Sequence, residues 1–226
     1  MFCSTSTHAR LVLFIHSKIV AVITLANSKG SPKTQKPKVV DGRRLRSERS
    51  RQAMIDATLE LMEEGVLIPT AQLISERAGV GIRSFFRHFA DMESLFIEID
   101  QQTRESSEAL FIGGDREGTT EKRILHAVER RADGYEDQKN TILCVAALSW
   151  KHSFLRENYA HYQRALRKDL DDWLPELKKL PRARREAIDA LASFEMWHRL
   201  RSHQGLGKKQ AIKIVVEMIS EAMAAS

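Results

Sequence analysis

The chain has 226 residues, 42% hydrophobic and 29% charged, a composition that expects a packed core and excludes a disordered or fibrous polymer. Its formal net charge of +6 suits a polyanionic partner, and its length allows one large domain or two small ones. Two cysteines, Cys3 and Cys144, lie far apart in unlike surroundings; they exclude a disulfide framework and a cysteine metal site and lead us to expect a reducing cytoplasm.

Residues 11–26, LVLFIHSKIVAVITLA, form the one strongly apolar run. Three readings stand for it: an upstream extension outside the native protein, a peripheral membrane contact, and a signal segment. The first is preferred, because His16, Ser17 and Lys18 split the apolar core and no Ala-x-Ala site closes it. The run is also shorter than the ~20 residues of a spanning helix, so no stable membrane association is expected. Residues 27–42 are polar, carry lysines and two prolines, and read as a flexible linker, making 1–42 an extension ahead of the first domain.

Arg43, Arg44, Arg46, Arg49 and Arg51 then form a basic run opposed only by Glu48. Such a run is either the solvated start of a helix or an arm lying along a phosphate backbone or minor groove. A helix is expected from about Ser47 to Glu64, with Ile55, Leu59 and Met62 on one stripe and Gly65 as its stop.

Residues 70–89, TAQLISERAGVGIRSFFRHF, read as two short helices around a three-residue turn. Thr70 caps the first helix, from Ala71 to Ala78, and Gly79 ends it, since glycine takes a left-handed backbone without steric cost. The turn Gly79-Val80-Gly81 leads into a second helix, Ile82 to Phe89, in the geometry of a helix-turn-helix. Spacing predicts that Phe85, Phe86 and Phe89 pack inward, while Arg83, Ser84, Arg87 and His88 share a face rich in donors and without a carboxylate. A rod of roughly 13 Å fits a major groove ~12 Å wide, where arginine reaches guanine bidentately. The plain alternative is an amphipathic core helix with a solvated basic face.

The pattern Thr70, Ile74, Ala78-Gly79-Val80, Ser84, Phe86, His88-Phe89, Leu95-Phe96 resembles the DNA-binding domain of TetR-type transcriptional regulators, from about Arg43 to Ile99. The resemblance implies an all-α protein. An N-terminal three-helix helix-turn-helix domain, 43–99, is joined by a fourth helix to a helical ligand-binding and dimerisation domain, 100–226. It implies DNA contacts from Arg43, Arg44, Arg46, Thr70, Gly81, Ile82, Arg83, Ser84, Phe86, Arg87 and His88. Three positions depart from the pattern. Gly81 stands where a capping serine is common, Phe86 where a tyrosine reaches phosphate, and Met92 where a lysine does. Each lost phosphate contact costs on the order of 1–3 kcal/mol.

Asp91 is expected to cap the fourth helix, about Met92 to Ser107. The loop from Gly113 to Gly118 lacks the strand-turn-helix context of a phosphate-binding loop. Helical patterns follow at about 120–132, 139–152, 155–174, 181–203 and 208–224. The last two carry broad apolar faces (Ile188, Leu191, Phe194, Trp197 and Leu200; Ile212, Val215, Val216, Ile219 and Met223) that pack internally or against a second subunit. The family resemblance implies the second, a homodimer whose two recognition helices read a palindromic operator in double-stranded DNA. It also implies a cavity for an unknown small-molecule ligand whose binding releases a repressor from DNA. Candidate lining residues are Trp150, Tyr159, Tyr162, Trp173 and Phe194, with His126, His152 and His161 available to orient a polar group.

An enzyme has little support. Glu195-x-x-His198 is half of a di-iron motif without a second half, and His198 and His203, five apart, are not expected on one face of an α-helix. No catalytic residue, metal ligand or cofactor is assigned.

Overall fold

A computed structural model describes residues 42–224. The apolar run at 11–26 and nearly all of the linker lie outside the described residues. Among these, secondary structure is helical throughout: α1 (Gly42–Glu63), α2 (Ala71–Arg77), α3 (Ile82–His88), α4 (Met92–Ala109), α5 (Thr120–Leu148), α6 (Ser153–Trp173), a 3-10 turn (Pro175–Lys179), α7 (Arg182–Leu191), α8 (Phe194–His198) and α9 (Lys208–Ala224). No helix of the described residues is long and apolar enough to cross a membrane.

Helices α1 to α3 and the first half of α4 form a head around Met54, Ile55, Leu61, Ile74, Phe85, Phe89, Leu95 and Phe96. The expected stripe on α1 packs there, with Ile55 and Met62 buried and Leu59 partly so. Two glycine turns shape the head. Gly65 (φ 87) and Gly79 (φ 66) end α1 and α2, and in each case the following valine N–H donates back to a carbonyl of the last turn at 2.9 Å. Asp91 and Ser94 make a reciprocal capping box at the start of α4, the Ser94 N–H donating to Asp91 Oδ1 at 2.8 Å.

The second half is built on α5, flanked by α6 and α9, with α7 and α8 closing the core around Tyr135, Trp173, Ile188, Phe194 and Trp197. The expected break between residues 132 and 139 does not occur, and α5 runs unbroken through Gly134. That glycine makes room for the Phe111 ring: a Cβ there would lie 2.5 Å from Phe111 Cε1. Its role is close packing against the helix, not interruption. The expected helix 181–203 is instead broken at Ala192 and Ser193 and ends in a π-helical turn, Arg199–His203. In a π-turn, residues five apart stack on one face, so His198 and His203 lie with ring centroids 5.1 Å apart, against the α-helical expectation. The apolar stripe of α9 turns inward: Ala211, Val215 and Ile219 are buried in the protomer's own core.

Head and second half share side chains. Cys144 and Leu148 at the end of α5 and Leu155 at the start of α6 belong to the head's core. Glu93, in the first turn of α4, accepts the Phe154 N–H at 2.6 Å and the Ser153 hydroxyl at 2.9 Å. It thereby caps α6 from another helix, where His152 offers no side-chain cap.

Candidate nucleic-acid interface and ligand cavity

Helix α3 is seven residues long, and its two faces are sorted by a few large side chains. Phe85 and Phe89 are 0% and 2% exposed, with ring centroids 5.5 Å apart, and they pin the helix to α1 and α4. Phe86 does not join them: it is 59% exposed, edge-on to Phe85. One residue along a helix is a turn of about 100°, which carries Phe86 to the flank beside Arg83 and Arg87. Both arginines are exposed, and Arg87 Nη2 lies 3.4 Å from Ser84 Oγ. Ile82 and Ser84 are half-buried on the edges of the helix.

His88 sits differently from the other members of that face. It is half-buried, and its Nε2 is shielded without a hydrogen-bond partner among the described residues. Burial, and after it the Arg87 and Arg51 charges, hold its pKa below the usual histidine value, favouring the neutral ring. Thr70 caps α2 as expected from its position, accepting the Leu73 N–H at 3.2 Å, whereas Gly81 caps α3 with backbone alone. Helix α1 starts at Gly42, so the basic run is helical. Arg43, Arg44, Arg46 and Arg49 are exposed along its first turns. Arg51 is held back, paired with Glu98 of α4 and lying 5.6 Å over the Phe89 ring.

A cavity of about 380 Å³ lies behind the head, between α4, α5 and α6. That volume is within the roughly 300–1,000 Å³ of small-molecule sites. Its head end is walled by Met62, Phe96, Ile99, Leu148 and Leu155, members of the head's own core. Farther along α4 come Asp100, Thr103, Ser107 and Glu108. Asp100 is 9% exposed and fully engaged. Its Oδ2 accepts from Arg104 Nε at 3.0 Å, and its Oδ1 accepts from Asn158 at 2.8 Å and the Tyr162 hydroxyl at 3.3 Å. Burial, then the Asp100 charge, pushes the Tyr162 phenol up to about 12. Cys144 also lines the cavity, a free thiol that burial pushes up to about 11 and so leaves unreactive.

Of the five expected lining residues, Tyr159, Tyr162 and Phe194 face this cavity. Trp150 and Trp173 do not. Trp150 follows the end of α5 and is 77% exposed, and Trp173 is a core side chain at 1%, with the Arg116 guanidinium 5.1 Å over its ring. Aromatic character marked both, and only the helix phase separates wall from core. Of the three histidines, His161 lines the cavity. His126 Nδ1 lies 3.1 Å from the Asp115 carbonyl, and His152 packs edge-on against Phe96. The acidic and hydroxyl strip on α4, Asp100, Thr103 and Ser107, was not among the expected lining residues, although these positions share helical phase.

Short helices around glycine turns, an outward cationic helix and a helical body behind them define a helix-turn-helix DNA-binding protein. Residues 54–99 match the family model of bacterial regulatory proteins of the tetR family. A protein from Streptomyces coelicolor A3(2), described as a transcriptional regulator, shares the fold at a TM-score of 0.51 and 23% identity, covering 78% of this chain and 99% of its own. A transcriptional regulator from Rhodococcus shares it at a TM-score of 0.55 and 18% identity, covering 77% of this chain and 96% of its own. No curated protein matches the chain. Residues 54–99 are thus a TetR-type DNA-binding domain, set in an all-α fold that these transcriptional regulators share.

Proposed function

We propose that the protein is a homodimeric repressor that leaves a palindromic operator when a small molecule fills the cavity behind the head. One observation carries this reading: Met62, Phe96 and Ile99 are at once cavity wall and head core, so whatever occupies the cavity touches the packing that aims α3. Release then requires a ligand that binds the DNA-incompetent arrangement more tightly, since equal affinity for both shifts nothing.

At the DNA, Arg83 and Arg87 contact base edges, and Arg43, Arg44 and Arg46 follow the phosphates. Thr70, Gly81, Ile82, Ser84 and His88 contribute the close surface around the turn. Phe86 offers an apolar ring, which suits a thymine methyl and cannot replace a phosphate donor. A single recognition helix reads too little sequence, and two held about 34–36 Å apart read both halves of a palindrome. Because the buried stripe of α9 is consumed internally, the dimer surface lies on the outward sides of the last helices. There Ala183, Ala187 and Ala190 of α7 and Met218 of α9 are exposed.

The experiment is selection of DNA fragments by the purified protein, followed by titration of the enriched site. Arg83→Ala and Arg87→Ala are each expected to cost about 1–3 kcal/mol at that site if they read bases. A loss equal on unrelated DNA would reassign them to phosphate. Enrichment of no sequence at all would refute the operator reading.

A further inference from the structure

The cavity wall carries charge of one sign. Asp100, Glu108 and Asp169 line it, and no lysine or arginine does; His161 is the one basic side chain among the lining residues. Two of the carboxylates have arginine partners, Asp100 with Arg104 and Asp169 with Arg116 at 2.6 Å. In both pairs the guanidinium faces outward, 46% and 34% exposed, while the carboxylates are 9% and 14% exposed. Solvent therefore screens these two guanidinium groups more than their carboxylates, but Asp169 also faces the charge of the buried Arg131, which leaves Asp100 and Glu108 as the carriers of the negative field. Glu108 forms no salt bridge among the described residues, and it lines the cavity at the end of α4, one residue beyond Ser107.

We propose that the cavity selects a lipophilic cation, an apolar body carrying an ammonium-like centre, over an anion of the same size. The inference rests on the reading of this cavity as the ligand site and adds the ligand's class. The apolar tail fits the head end, among Phe96, Ile99, Leu148 and Leu155. The cationic centre fits the other end, near Glu108, with the Tyr162 and Phe111 rings on the wall as further partners for positive charge. A carboxylate or phosphate placed there meets Glu108 and Asp100 with no lysine or arginine on the wall, and burying such an anion without a cation is unfavourable. The raised Tyr162 phenol, shifted by burial and then by the Asp100 and Glu108 charges, is in keeping with a negative field.

The test is calorimetric titration of the full chain with decyltrimethylammonium, decanoate and decanol, which share a tail and differ in head charge. The cation is expected to bind on the order of tenfold or more tighter than the anion. Glu108→Gln is expected to narrow that gap while leaving decanol affinity unchanged, a readout that a folding defect would not mimic. Equal or tighter binding of decanoate, an undiminished preference in Glu108→Gln, or no binding of any probe overturns the proposal. Release from DNA is read separately, with the Glu108→Gln protein controlling for the cation's own attraction to phosphate. Cation-selective binding without release sinks ligand-controlled release and keeps the charge selection. Release by decanoate alone does the reverse.

Discussion

The head and the second half solve the same packing problem by different means. The head has short helices whose ends are set by glycine turns and caps, and its core is filled by Phe85, Phe89, Met54 and Leu95. The second half has long helices, α5 and α6, that leave an open volume between them and α4. It holds itself together partly with buried polar groups. Arg131, 4% exposed, donates to the carbonyls of Leu166 and Ala192, and the Tyr135 hydroxyl donates to the same Ala192 carbonyl at 3.0 Å. Rigid aim suits a surface that must match a groove. A cavity set among long helices suits a region that must change with its contents. The two meet in α4, which supplies Phe96 and Ile99 to both and Asp100 to the cavity.

The largest expected effect breaks the comparison at the head. Phe85→Ala removes a fully buried ring and is expected to cost about 3–5 kcal/mol. All three tryptophans, Trp150, Trp173 and Trp197, lie in the second half, so their emission follows that half alone, while operator binding follows the head. Because Cys144, Leu148 and Leu155 sit in the head's core, the urea transitions seen by both probes are expected to shift together. Two separated transitions would show that the shared side chains do not couple the regions.

That coupling was the part of the molecule least legible in the sequence. Thr70, Gly79 and Asp91 could be read directly, because caps and left-handed turns are local chemistry with few residue solutions. Phe86 departs from its inward expectation, because three aromatic residues in close succession leave the helix phase open by one position. The gap expected between 132 and 139 does not form, and a lone glycine such as Gly134 looks the same in a sequence whether it interrupts a helix or admits a ring such as Phe111. The cavity wall draws on five helices distant in sequence, and aromatic content alone does not separate Tyr159 and Tyr162 from Trp150 and Trp173. Glu93 capping α6 across about sixty residues has no local signature at all.

Gly134→Ala sharpens the comparison from the other side. The added methyl must displace the Phe111 ring, at an overpacking cost of about 1–3 kcal/mol, while alanine regains about 1 kcal/mol of helix propensity. Phe111 also lines the cavity, so the ring's escape route is into that space. Urea unfolding is expected to report a net loss under about 2 kcal/mol, with operator affinity kept and decyltrimethylammonium binding lost. Loss of operator affinity at retained stability would mean that Phe111 positions the head.

The smallest expected effect is titratable and has a counterpart in each region. His88 in the head is held below its usual value by burial, then by Arg87 beside it and Arg51 on α1, with Glu48 opposing. His198 in the second half is lowered by burial, then by His203 and Lys139. Both fold as neutral rings, so above the unfolded histidine value of about 6.5 they add no pH dependence. As pH falls through that value, the unfolded chain takes up protons that the folded chain refuses, and stability declines until the lower folded values are passed. The urea midpoint is therefore expected to drop between pH 7.5 and pH 5.5, and His88→Gln and His198→Gln should each flatten part of that drop. If the regions are coupled as their shared core implies, either substitution flattens the tryptophan-detected curve. Should only His198→Gln do so, the head unfolds on its own account.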